Sequence, residues 1–148
     1  MFNHILIATD MSPKAISATK KAVQLAHQFN SRITLLNIHE EFMSDEEMQM
    51  LRVSVNKMKE EFHKIADAAK SEMKRIIHEL HADDIQVEFL LRKGKPPKTI
   101  CTVAVELGAD LIVLGTNGRD NIHDYILGTT SEYVVRHSKL PVLVIPGS

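Results

Sequence analysis

Chemistry in this chain is signalled first by glycine spacing. The stretch from Ala109 to Thr130 reads Ala-Asp-Leu-Ile-Val-Leu-Gly-Thr-Asn-Gly-Arg-Asp-Asn-Ile-His-Asp-Tyr-Ile-Leu-Gly-Thr-Thr, and Gly115, Gly118 and Gly128 are three of the six glycines. A short apolar run, Leu111 to Leu114, stops at the first of them. Glycine lets backbone approach a ligand closely and take φ above zero. A strand, a glycine-rich loop and a helix start in succession therefore suit a phosphate, which backbone N–H groups and the positive end of a helix receive. The same spacing also fits a plain turn and loop, and spacing alone does not separate the two. Asp10 is the second candidate. It follows the apolar run Ile5 to Ala8 through Thr9, where a carboxylate can accept hydrogen bonds from ribose hydroxyls. By itself an Asp at such a place is more often a turn residue or a helix cap.

The elements that must position these residues alternate along the chain. Ile5 to Ala8 is apolar on both faces and reads as a buried parallel strand. Ser12-Pro13 is an N-cap followed by proline in the first turn, and Ala15, Ala18, Ala22, Leu25, Ala26 and Phe29 keep a helical period to about Asn30. Ile33 to Ile38 is a second buried strand. Ser44-Asp-Glu-Glu47 has the form of a capping box, and apolar residues then recur from Met48 to Leu80 at spacings of three and four. A straight helix of that length would run roughly 55 Å, against roughly 35–40 Å for a domain of this size. It must project or break, and the low helix propensity of Val53 to Asn56 places a bend or break there. Ile85 to Leu91 alternates and is expected as a strand nearer the sheet edge. A loop, Arg92 to Pro97, leads to a helix from Pro97 to about Leu107, with Gly108 as its terminating residue. Asp110 to Leu114, a helix from about Gly128 to His137, and Pro141 to Ile145 complete five strands and four helical segments. The fold class expected is α/β, with an open parallel sheet in a single domain spanning residues 1–148.

In open parallel sheets ligands bind beyond the carboxyl ends of the strands, where the strand order reverses. Asp10 and Gly115 both close strands. If those strands are neighbours, one crevice holds a carboxylate on one side and a phosphate loop on the other, which makes nucleotide the natural ligand class.

Gly115-Thr-Asn-Gly118, nine residues, then Gly128-Thr129 resembles the Gly-x2-Gly-x9-Gly-Ser/Thr signature of the ATP-binding universal stress proteins. The resemblance covers the whole chain: the opening Ile-Leu-Ile-Ala-Thr-Asp10, the Gly94-Lys-Pro96 loop, Gly108-Ala-Asp-Leu-Ile-Val-Leu-Gly115, and the closing Val-Val-Arg-His-Ser-Lys-Leu-Pro-Val-Leu-Val-Ile145. It implies a Rossmann-like, doubly wound five-stranded parallel sheet of order 3-2-1-4-5, with helices on both faces and ATP at the switch point. Asp10 would then hold adenosine with Thr9 beside it, and Ile38 would meet adenine with its backbone. Gly115, Thr116, Gly118 and Arg119 would wrap ribose and phosphates, and Gly128, Thr129 and Thr130 would grip the phosphate tail. Asn117 stands where the family more often has His, and Thr129 where it more often has Ser; both keep hydrogen-bonding groups. Family members commonly pair the last strand across a dimer two-fold, so the resemblance implies a homodimer through Val142 to Ile145.

Other chemistries find little support. There is no Walker Gly-x4-Gly-Lys-Ser/Thr, no Gly-x-Gly-x-x-Gly, and no zinc signature among the eight histidines. His78 and His81 are read as a solvated pair on one helix face, Cys101 as a small core residue, and Arg92, Lys93, Lys95 and Lys98 as a solvated basic loop. His123 lies in the glycine loop. No paired carboxylates or nucleophile with its base stand out, so at most slow ATP hydrolysis is expected, with Mg2+ held mostly by phosphates. A net charge of -1 gives no reason to expect a nucleic-acid or membrane partner. A single cysteine, with no signal peptide or membrane span, fits the reducing cytoplasm. The alternative function is a dimeric interaction module whose nucleotide site is vestigial.

Overall fold

The computed structural model describes residues 1–40, 45–51, 54–116 and 127–147. Five parallel strands form one sheet of order β3-β2-β1-β4-β5. They are β1 (His4–Ala8), β2 (Arg32–His39), β3 (Val87–Lys93), β4 (Leu111–Gly115) and β5 (Val142–Ile145). The helices are α1 (Pro13–Phe29), α2 (Asp45–Met50), α3 (Val55–Glu79), α4 (Pro96–Glu106) and α5 (Thr129–His137). The order reverses between β1 and β4, as the resemblance implies.

Strand alternation sends Ile5, Ile7, Ile33, Leu35 and Val113 to one face, where they meet Ala22, Val23 and Ala26 of α1 and Met73 and Ile77 of α3. Leu6, Leu36, Ile112 and Leu114 face the other way, against Ile100, Val103 and Ala104 of α4 and Val134 of α5. Because both faces are covered, the central strands are continuous apolar runs. Alanines dominate the buried side of α1, which lets that helix lie close to β1 and β4.

Helix ends follow local rules. Ser12 Oγ accepts from Ala15 N at 3.3 Å, and Pro13 occupies the first turn of α1. Gly108, at φ +68°, ends α4 with the Ala109 N→Ala104 O and Gly108 N→Val105 O pair of a Schellman turn. The same left-handed turn ends α1 at Asn30 and α3 at His81, both without glycine. His81 therefore lies beyond α3 rather than on a face shared with His78; His78 is instead paired with Asp83 at 2.7 Å.

The long apolar stripe after β2 both breaks and projects. α2 ends at Met50, and α3 starts at Val55 behind the N-cap Ser54, whose Oγ accepts from Lys57 N. The Ser44 capping box lies outside the described residues. α3 runs about 37 Å, yet its fully buried side chains begin only at Ala69, while Val55 and Ile65 are exposed. β3 starts later than alternation suggests, because Ile85 N donates to Ala82 O in a turn, and it extends to Lys93 opposite His39. It is an edge strand, as expected.

Candidate functional site

Three hydrogen bonds shape the exit of β1. Thr9 is buried, and its Oγ1 accepts from Met11 N at 2.9 Å. Asp10 Oδ1 accepts from Ser12 N at 2.9 Å, and Ser12 then caps α1. Met11 takes φ +63°, a left-handed conformation that costs a residue other than glycine on the order of 1–3 kcal/mol and that these bonds hold in place. Asp10 is thus a turn residue, and it also stands at the carboxyl end of β1, facing the switch point. Asn37 Nδ2 donates to Thr9 O at 2.9 Å and ties the exit to β2. In the sequence Asn37 shows only as a lone amide inside Leu35-Leu36-Asn37-Ile38.

β2 runs further than β1. Leu36 O accepts from Thr9 N, so Leu36 directs its backbone polar groups toward β1. Alternate residues of a strand point the same way, and Ile38 therefore turns its amide and carbonyl to the β1 side. By then β1 has left the sheet, since its ladder with β2 ends at Ala8↔Leu36. The backbone of Ile38 faces the space above Thr9 and Asp10.

On the other side of the switch point, β4 ends at Gly115 and is followed by buried Thr116. A Cβ on Gly115 would lie 3.5 Å from Lys14 O and 4.0 Å from Ala18 Cβ, so β4 and the first turns of α1 are in close contact here. The segment leaving Thr116 is brought back at Gly128, whose N–H donates to Thr116 O at 2.6 Å. Ser131, in the first turn of α5, directs its Oγ to Gly115 O at 2.6 Å and Thr116 O at 3.1 Å. Gly128, Thr129 and Thr130 are thereby fixed next to the end of β4. Gly128 caps α5 without a side-chain hydrogen bond, leaving the helix start open to an external acceptor. In the sequence Ser131 shows only as a third hydroxyl directly after Gly128-Thr-Thr.

Among the described residues, Thr116 Oγ1 is buried and has no hydrogen-bond partner. Such a group costs about 1–3 kcal/mol. Gly118 and Arg119, with Asn117 and His123, lie outside the described residues. The other positions, Thr9, Asp10, Ile38, Gly115, Thr116, Gly128, Thr129 and Thr130, gather at the carboxyl ends of β1, β2 and β4 and the start of α5.

Beside them an open groove of about 460 Å³ runs between the starts of α4 and α5. It is lined by Glu40, Lys95, Pro96, Pro97, Lys98, Thr129, Thr130 and Tyr133. Lys95 and Lys98 of the basic loop are exposed, as expected, and line this groove together with Thr129 and Thr130 of α5. Among the described residues, no group of three or more His, Cys, Asp or Glu is placed to hold a metal, and no helix is long and apolar enough to cross a membrane. Cys101 is half-buried against the α4 side of the core, where burial raises its thiol pKa.

The strand order and switch-point crevice define a Rossmann-like, doubly wound α/β protein. The profile of the universal stress protein family matches residues 1–146, and the chain belongs to that family. The universal stress protein MJ0577 of Methanocaldococcus jannaschii is 30% identical over 154 aligned residues, covering 98% of this chain and 95% of the relative. Its solved structure superposes with a TM-score of 0.79 at 28% identity, covering 98% and 96% of the two chains. UspA of Lactobacillus plantarum gives 0.78 at 26% identity, over 97% of each chain. A universal stress protein solved in complex with cAMP shares the fold at a TM-score of 0.67 and 23% identity, over 99% of each chain.

Proposed function

We propose that this universal stress protein binds ATP in the crevice between the carboxyl ends of β1 and β4, and that the nucleotide biases its conformation or assembly rather than serving as fuel. The observation that carries this reading is the buried, unpartnered Thr116 hydroxyl, beside an α5 start that lacks a side-chain cap. Both would be satisfied by an acceptor-rich ligand such as ribose and phosphate. Asp10 would take ribose hydroxyls, Thr9 would lie beside it, and the backbone of Ile38 would meet adenine. Gly115, Thr116, Gly118 and Arg119 would wrap ribose and phosphates, and Gly128, Thr129 and Thr130 would hold the tail. A fold relative solved with cAMP is in keeping with a nucleotide as ligand. Mg2+ would enter with the phosphates, which supply most of its ligands. Turnover of ATP would be slow at most.

The same reading makes residues 1–148 one domain working in the cytoplasm as a homodimer. β5 is an edge strand whose four apolar residues are all only partly buried, a surface that favours a second copy. This observation also supports the second reading, an interaction module with a vestigial nucleotide site. Equilibrium dialysis against micromolar ATP separates the two: the first reading expects bound nucleotide, and no detectable binding would sink it. Solution scattering should give a dimer mass at working concentration, and a monomer would remove the role proposed for β5.

A further inference from the structure

We propose that the groove between α4 and α5 reads the length of the nucleotide's phosphate tail, with Lys95 and Lys98 engaging its terminal phosphates and Glu40 competing for Lys95. The proposal rests on the ATP reading above and assigns a specificity device to the same site.

The two walls of the groove offer different donors. On the α5 side, Gly128 caps the helix without a side-chain bond, so backbone amides of the first turn and the hydroxyls of Thr129 and Thr130 are at hand. On the α4 side the first helical positions are Pro96 and Pro97, which have no N–H, and the N-cap Lys95 makes no side-chain cap. That helix start has lost two of the amides an anion would otherwise use. Positive charge there must come from the Lys95 and Lys98 side chains, both of which line the groove. A single phosphate seated on the α5 wall needs nothing from the α4 wall. A longer tail reaches both.

Glu40, at the end of β2, supplies the competing anion. Lys95 Nζ lies 3.4 Å from Glu40 Oε1, with 64% and 41% of the two side chains exposed. An ion pair this exposed is weak and readily exchanged. A polyanionic tail would displace Glu40 from Lys95, whereas a ligand that stops short leaves the pair intact and gains nothing. Gly128 N donates to Thr116 O, which joins the end of β4 to the α5 wall of the groove.

The test is titration calorimetry of the full chain with ATP, ADP and AMP. The variants are Lys95→Gln, Lys98→Gln, Glu40→Gln and, as a charge control at the opposite end of the sheet, Lys139→Gln. Each groove lysine variant should weaken ATP about five- to tenfold and AMP less than about twofold, and Glu40→Gln should tighten ATP about two- to threefold. The control should leave all three affinities in place. Equal losses for ATP and AMP, or no loss for either, would overturn the tail-length device while leaving nucleotide binding standing. If the unaltered protein binds none of the three, the ATP reading falls, and this proposal with it.

Discussion

Replacing Thr116 by valine should pull stability and binding in opposite directions. Valine has the same branched shape and strand preference as threonine, so packing at the end of β4 is conserved. What changes is the hydroxyl, which is buried and unpartnered in the free protein. Removing an unsatisfied buried polar group relieves about 1–2 kcal/mol, and the ligand-free variant should therefore be more stable than the parent by that amount. In a chain of 148 residues this corresponds to a rise in Tm of about 3–6 °C. In urea the midpoint should move up with no change in slope. Binding should show the reverse: loss of one hydrogen bond to ribose or phosphate weakens ATP roughly tenfold, or about 1.4 kcal/mol. At ATP one hundred times the parent's Kd, the parent gains about 2.7 kcal/mol and the variant only about 1.4, so most of the variant's advantage disappears. Paired melts with and without ATP read both effects in one experiment. A ligand-free variant less stable than the parent by more than about 1 kcal/mol would show that the hydroxyl is already satisfied. A stabilised variant with unchanged ATP affinity would show that the hydroxyl does not serve the nucleotide. Either result refutes the reasoning.

Gly128→Val should abolish ATP binding by intrusion into the phosphate path while leaving the melting curve almost unmoved, because Gly128 sits at φ -70° in extended backbone that any residue adopts; dialysis and thermal melts check the two halves. Ser131→Ala removes a donor shared by Gly115 O and Thr116 O and should destabilise by about 2 kcal/mol in urea, with Ser131→Thr retaining part of the loss. His4 is buried with its Nε2 2.7 Å from Thr34 Oγ1, and burial, aided by Arg32, lowers its pKa below 6.5. The unfolded chain then binds the proton more readily, so stability should fall as pH drops below 6.5, by at most about 1.4 kcal/mol per unit, and level off below the lowered value. Urea midpoints between pH 5 and 8 should show this slope in the parent and lose it in His4→Gln.

The elements that sequence alone placed well are those whose signals are local. Ser12-Pro13 and Gly108 mark helix ends by their own chemistry, and the two-sided apolar runs at β1, β2 and β4 leave no other reading than buried strands. Asn30 and His81 were harder, because their left-handed turns depend on the bonds Ser31 N→Ala26 O and Ala82 N→Ile77 O rather than on glycine. The end of β3 was hidden for a similar reason. Its last residues, Arg92 and Lys93, are polar and join the sheet only because β2 extends beside them. At the site, Asp10 and the glycines announced themselves by spacing. Lys95 and Lys98 did not, since nothing in a basic loop tells that Thr129 and Thr130 stand across from it. Asn37 and Ser131 carry only faint signs in the sequence, being polar residues whose partners lie 28 and 15 or 16 positions away.

The opposite end of the sheet explains how the carboxyl end can carry a strained Met11 and an unpartnered Thr116 hydroxyl. Asp110 accepts from Asn3 N at 2.8 Å and from His4 N at 3.1 Å, clamping the start of β1 to the start of β4. Arg32 N donates to Asn3 O, Asp110 N donates to His4 O, and Ser31 Oγ bonds Phe2 O, so β2 is tied into the same knot. The two strands that flank the switch point are thus registered from their amino ends, independently of anything at their carboxyl ends. A strand fixed in this way can end in a strained Met11 and an unpaired Thr116 hydroxyl without losing its alignment. Groups left unsatisfied where they are rigidly held lose little further entropy when a ligand engages them, and that preorganisation adds to affinity. Asp110→Asn, which keeps the acceptor geometry at one oxygen only, should accordingly weaken ATP binding through loosened alignment of β1 and β4, though its own side chain sits at the far end of the sheet. Calorimetry with ATP alongside urea unfolding checks this: a loss of stability with fully retained affinity would show that the carboxyl-end crevice does not depend on the amino-end clamp.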